Sequence, residues 1–139
     1  MIVLDTNVIS SLMRPEENPV VVQWLDGQPK RSVWTTATTI LEVRYGLLIL
    51  PAGRRRESLV ARFDHVLDDS LEGRVLKFDR LSAERAAEIS ARRRTVGRTV
   101  DAHDTQIAGI VMSRNATLAT RNVRDFDDLD MPLVNPWED

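Results

Sequence analysis

Met1-Ile2-Val3-Leu4-Asp5-Thr6-Asn7-Val8-Ile9-Ser10 carries the pattern from which the rest of the fold follows. Ile2, Val3 and Leu4 form an unbroken apolar run, as expected of a strand buried on both faces. Asp5-Thr6-Asn7 then interrupts the run with side chains that favour helix starts, and the spacing that follows predicts a helix over residues 8–13. A polar turn thus joins a buried strand to a helix.

The same alternation continues outward from this stretch. A helix is predicted over 16–26, closed by Gly27, and a β-branched and aromatic strand over 32–35. Thr36 or Thr38 can cap a long helix that passes through Ile40, Leu41, Tyr45 and Leu48 to Pro51. Leu59, Phe63, Val66 and Leu67 predict a helix over 54–71 with Gly73 behind it. A strand over 75–78, a helix over 82–96 opened by Ser82, and a helix over 100–114 follow. Two short strands, over 117–120 and 132–134, complete the pattern. Short apolar strands separated by helices predict a three-layer α/β/α fold around a central parallel sheet of four to five short strands. No repeat, low-complexity stretch or Gly/Ser linker divides the 139 residues, so residues 1–139 read as one domain, long enough to bury close to ~70% of its extended surface.

Composition narrows the chemistry. With 42% hydrophobic and 29% charged residues, the chain is globular rather than disordered or fibrous. No apolar run approaches the roughly 18 residues of a membrane span, and no basic flank precedes the first strand, so a soluble, cytoplasmic protein is expected. The absence of cysteine removes disulfides, thiolate nucleophiles and cysteine zinc sites. His65 and His103, the only two histidines, cannot build a histidine-rich metal cage and read as structural. His103 adjoins Asp104, but helix neighbours point apart. Any metal must therefore be held by oxygen.

Net charge is −2, yet 17 of the 19 basic residues are arginine and several are clustered. Arg54, Arg55 and Arg56 form one block, and Arg92, Arg93, Arg94 and Arg98 another. These blocks are either solvated helix faces or phosphate contacts. Asp125, Asp127, Asp128 and Asp130 make the C-terminal region acidic.

In an open parallel sheet, function gathers beyond the carboxyl ends of the strands. Asp5 follows the first strand at once, Glu42 lies one to two turns into the helix after the second, and Asp104 sits near the start of the helix before the fourth. Asn122 and Asp125 follow that fourth strand. Each acid has a plainer reading: Asp5 as a helix cap, Glu42 in an ion pair with Arg44 or another arginine, and Asp104 as a partner for the helix dipole, a role open to Asp101 as well. Together they gather carboxylates from distant positions at one edge of the sheet. A hard divalent cation, Mg²⁺ or Mn²⁺, neutralises such a group with oxygen ligands alone. That metal chemistry, with arginine blocks nearby, predicts a nucleic-acid phosphodiesterase.

The opening decapeptide, Ile40-Leu41-Glu42-Val43-Arg44-Tyr45-Gly46, Asp104 with Ile107-Ala108, Ala119-Thr120-Arg121-Asn122 with Asp125-Phe126, and Asn135-Pro136-Trp137 together resemble the PIN-domain family. Within it, the chain is similar to the VapC toxins of the FitB-like subgroup, from Met1 to Trp137. The resemblance implies an Mg²⁺- or Mn²⁺-dependent endoribonuclease. It implies an antitoxin of the VapB type that blocks the acidic cleft with a basic side chain and represses its own operon through operator DNA. It implies Asp5, Glu42 and Asp104 as the acidic triad, with Asp5 and Asp104 first as metal ligands and Glu42 positioning the attacking water or the metal. Some relatives carry Asp where this chain has Asn122, so either Asn122 supplies a neutral oxygen or Asp125 reaches in. Thr6, Asn7 and Thr120 would orient ligands or water. Homodimers are usual in the family. The Trp24 region and the helix near Arg54 are candidate faces, although Trp24, Trp34 and Trp137 read first as core.

Two other classes are weighed against this one. A PIN-like module that binds RNA or a partner without cleaving would be signalled by degraded acids, whereas Asp5, Glu42 and Asp104 are intact. A receiver-like protein phosphorylated on Asp5 usually needs a second Asp two residues on or a well-placed Lys. Position 7 is Asn, and the lysines are Lys30 and Lys77.

Overall fold

The computed structural model describes residues 1–138. Strands β1 (Ile2–Leu4), β2 (Val33–Thr36), β3 (Val75–Leu76), β4 (Thr117–Ala119) and β5 (Leu133–Val134) form a five-stranded sheet in the order β3-β2-β1-β4-β5. Every neighbouring pair is parallel, with Ile2 in register with both Val33 and Thr117. The opening strand is therefore the central one, and Val3 and Leu4 are fully buried because helices cover both sheet faces.

The period-two alternation of the strands sorts the core into two layers. Leu4, Val33 and Ala119 face α1 (Thr6–Leu12), α2 (Pro19–Asp26), α3 (Ala37–Leu48) and α4 (Arg54–His65), meeting Val8, Val21, Val43 and Phe63. Val3, Leu76 and Leu118 face α5 (Arg80–Thr95) and α6 (Ala102–Ser113), meeting Ile89, Ile107 and Val111. The three-layer expectation holds. Trp24 and Trp137 pack against the first layer and Trp34 against the second, as core reading required.

Several boundaries differ from the sequence expectation for local reasons. α1 begins at Thr6 rather than at residue 8, because the Asp5 carboxylate accepts the Thr6 amide at 2.8 Å. α5 begins at Arg80, since Asp79 rather than Ser82 is the cap, accepting both the amide and the hydroxyl of Ser82. α6 begins at Ala102 behind Asp101, which accepts the Asp104 amide. α4 ends at His65, and residues 66–70 form a wider turn in which the Leu71 amide donates to the Val66 carbonyl at 2.9 Å. β3 is two residues long, so Lys77 and Phe78 lie outside it.

α5 and α6 pack closely through a single small residue. A Cβ on Gly109 would lie 2.4 Å from the Ser82 carbonyl oxygen. Among the described residues no helix is long and apolar enough to cross a membrane.

Candidate active site

The sheet order places a reversal at β1: the chain runs outward through β2 and β3 on one side, then returns to β4 and β5 on the other. The crevice between the carboxyl ends of β1 and β4 is where such sheets bind ligands. Asp5 leaves β1 there and Thr120 leaves β4, tied by an Asp5 amide to Ala119 carbonyl bond of 2.9 Å.

Asp5 is 3% exposed. Its Oδ1 accepts the Thr6 amide; its Oδ2 accepts the Thr120 hydroxyl at 2.7 Å and the Asn7 amide nitrogen at 3.3 Å. Burial pushes its carboxyl above the usual range, and the Thr120 and Thr6 hydrogen bonds oppose that push. Asp5 thus does cap α1, and it also faces the crevice. Asn7 and the Asn122 amide both donate to the Thr120 oxygen, at 3.3 and 3.1 Å, so this hydroxyl is held from several directions.

Glu42 is anchored by a relay of hydroxyls. Thr36 donates to Thr39 at 3.2 Å, Thr39 lies 3.2 Å from Thr6, and Thr6 donates to Glu42 Oε1 at 2.8 Å. With one proton per hydroxyl, the relay runs from Thr36 through Thr39 and Thr6 to the carboxylate. Glu42 Oε2 lies 3.3 Å from His103 Nδ1. In sequence His103 adjoins Asp104 but diverges from it around the helix. That divergence is what carries it across to α3, and α3 and α6 are clasped beside it by the Thr38 hydroxyl donating to Gln106 at 3.1 Å. Arg44 is not the partner of Glu42. It pairs with Asp64 and lies over the Phe63 ring, 4.6 Å from its centroid.

Asp104, on the first turn of α6, has a carboxyl raised to about 7. Burial is the main cause, followed by the charges of Asp5, Asp101, Asp125 and Glu42. Asp125 lines the same cavity of about 430 Å³ as Asp104, with Asp101 and Thr99. Asn122 is exposed. Of the two candidates for a fourth acid position, Asp125 is thus the one beside Asp104.

Of the arginine blocks, Arg93 is corrected outright. It is 3% exposed, donates to both oxygens of Asp128 at 2.9 and 3.0 Å and to the Asp125 carbonyl at 2.7 Å, and so fastens α5 to the C-terminal segment rather than waiting for phosphate. A pattern in the sequence foreshadows this: Ser82, Ala86, Ile89 and Arg93 fall on one helical stripe and all are buried. Arg98 pairs with Asp127 and the Arg124 carbonyl at the cavity edge. Arg92 and Arg94 are exposed on α5. On α4, Arg54 and Arg55 are exposed and Arg56 is half-buried.

Among the described residues neither Asp5 nor Asp104 is ion-paired to an arginine, while Asp64, Asp79, Asp127 and Asp128 each are. No three acidic or histidine side chains among the described residues converge tightly enough to enclose an ion. The donor set therefore fits a water-rich cation held by one or two carboxylates, which is the habit of Mg²⁺, better than a carboxylate cage.

Fold and site together define the class: the PIN domain family matches residues 2–131, and the chain belongs to it. It is 36% identical to the VapC ribonuclease Y4jK of Sinorhizobium fredii over 99% of both chains. It is 37% identical to the toxin FitB of Neisseria gonorrhoeae over the full length of both. A solved structure of FitAB bound to an IR36 DNA fragment superposes with a TM-score of 0.87 at 36% identity, covering 99% of this chain and 96% of that one.

Proposed function

We propose that this protein is the toxin of a toxin-antitoxin pair and acts as a metal-dependent endoribonuclease. The observation that carries the proposal is the crevice at the β1–β4 reversal, where Asp5, Glu42 and Asp104 arrive from three elements with no arginine to neutralise them. Asp5 and Asp104 would hold the cation, Mg²⁺ or Mn²⁺. Bound there, the cation would offset charge on the phosphodiester and lower the pKa of water. The chain's own contributions follow from the contacts described. Asp5 is fixed in one rotamer by Thr120, Asn7 and the Thr6 amide. Glu42 is held by Thr6 and His103 at the border of the crevice, where it would orient the attacking water. Asp104 gives up its proton near neutral pH. The names of the relatives Y4jK and FitB, a ribonuclease and a toxin, support this reading.

A VapB-type antitoxin would silence the site by placing a basic side chain among these carboxylates. The DNA fragment in the FitAB structure supports an assembly of the same kind on operator DNA. Incubating the purified protein with labelled RNA tests the activity. Fragments are expected with Mn²⁺ or Mg²⁺ and none with chelator. Asp5→Asn and Asp104→Asn are expected to lower the rate more than about 100-fold, about 2.7 kcal/mol of barrier. Retention of RNA without cleavage would favour a binding module.

A further inference from the structure

Glu42 also borders a second cavity, which neither Asp104 nor Asp125 lines. It has about 320 Å³ of space, with Thr6 and Glu42 at its inner end. Its floor is aliphatic, built from Met13, Val43, Leu47, Leu50 and Leu59. Arg14 and Arg55 stand on its rim. Neither guanidinium makes a hydrogen bond or ion pair among the described residues, although Arg44, Arg62, Arg93, Arg98 and Arg114 are all engaged. The size is at the low end of small-ligand sites, ~300–1,000 Å³, and so suits one compact group rather than a helix of a partner. The charge on the rim is positive, while the adjoining crevice is negative and needs a cation before it can receive phosphate.

We propose that this cavity is the subsite for the nucleotide next to the scissile phosphate, with the base laid on the aliphatic floor and the following phosphate held by Arg14 and Arg55. The assignment rests on the ribonuclease reading and adds to it the form of the substrate. A base can lie on that floor only if it is unpaired and splayed from its neighbours, so the substrate is single-stranded at this position. The Thr6 hydroxyl is committed to Glu42, which leaves the floor few groups to read base edges. The subsite selects shape and strandedness more than base identity.

Gly46 supplies the test. It lies on α3 one turn beyond Glu42, lines the cavity, and a Cβ there would meet nothing within 4 Å. Gly46→Leu therefore fills the space without disturbing the packing, and its helix propensity favours the fold. Cleavage of an unstructured fluorescent oligoribonucleotide with Mn²⁺ is measured for the wild type, Gly46→Leu and the double variant Arg14→Gln/Arg55→Gln. Gly46→Leu is expected to lower kcat/KM about tenfold or more. The double variant is expected to raise KM about tenfold with kcat held, and to flatten the salt dependence of log KM by about 0.7, one single-strand phosphate contact. Wild-type cleavage with both variants unimpaired overturns the subsite alone. So does Gly46→Leu that cuts normally but escapes a cognate antitoxin, because the cavity would then seat a protein. A wild type that leaves the RNA intact overturns the ribonuclease reading and the subsite with it.

Discussion

Thr120 donates to Asp5 Oδ2 while accepting from Asn7 and the Asn122 amide, so one hydroxyl fixes the orientation of the most buried acid. Thr120→Val keeps the shape and removes the donor. It should reduce metal-dependent cleavage about 10- to 100-fold, with Thr120→Ser recovering most of it, as read by initial rates across Mn²⁺ concentrations. Asp104 predicts a pH effect of definite sign. A carboxyl that holds its proton more tightly in the folded chain stabilises the fold fully below its unfolded value and loses that contribution as pH rises through its folded value. Raised from 3.8 to about 7, Asp104 makes the metal-free protein less stable at about pH 8 than at about pH 5, and apparent metal affinity should climb over the same interval. Urea midpoints at both pH values, with and without Mn²⁺, measure this, and Asp104→Asn should make the metal-free profile shallower, with Asp5, also raised, contributing a remaining slope of the same sign. Asp5, Glu42 and Asp104 were legible as acids at strand ends. The histidine on Glu42 was not, because that pairing depends on how closely α3 and α6 approach, which no local pattern encodes.

At the level of elements, the helix–helix contact of α5 and α6 rests on Gly109. An alanine there gains up to about 1 kcal/mol of helix propensity but forces the Ser82 carbonyl to move from 2.4 Å, an overpacking cost of typically 1–3 kcal/mol. Gly109→Ala should therefore destabilise by about 1–2 kcal/mol, seen as a lower thermal midpoint. Element existence was readable in the sequence because the apolar periods are clean. Boundaries drifted where a side chain took over the backbone: Asp5 and Asp79 each cap a helix three residues ahead of the expected start, Asp101 holds α6 back to residue 102 instead of 100, and in each case the cap is settled by a carboxylate rather than by the apolar pattern. The arginine run 92–94 misled for a different reason. Its middle member lies on the buried stripe, where the Asp128 partner from the C-terminal segment makes burial affordable.

For the whole molecule, the parallel three-layer plan followed from the sequence, whereas the strand order did not, since the pairing of β1 with both β2 and β4 is a tertiary choice. Of the candidate association faces, the Trp24 region is partly buried, Trp24 packing against the first core layer as its core reading expects. Leu41, Tyr45 and Leu48, one stripe of α3, are 56%, 64% and 64% exposed, and an exposed apolar stripe of this kind is a further candidate association site. If a second copy covers it, Tyr45→Glu/Leu48→Glu should shift the sedimentation of the pure protein from dimer to monomer while leaving its circular dichroism unchanged.

The bond between Asp5 and Thr120 spans 115 residues, and β1 has no neighbour on that flank until β4 is made. A ribosome must therefore release the chain through residue 120 before the crevice can close. If the proposed ribonuclease activity resides in this crevice, a nascent chain that stops short of Thr120 has no assembled site, and activity would begin only once β4 has joined β1.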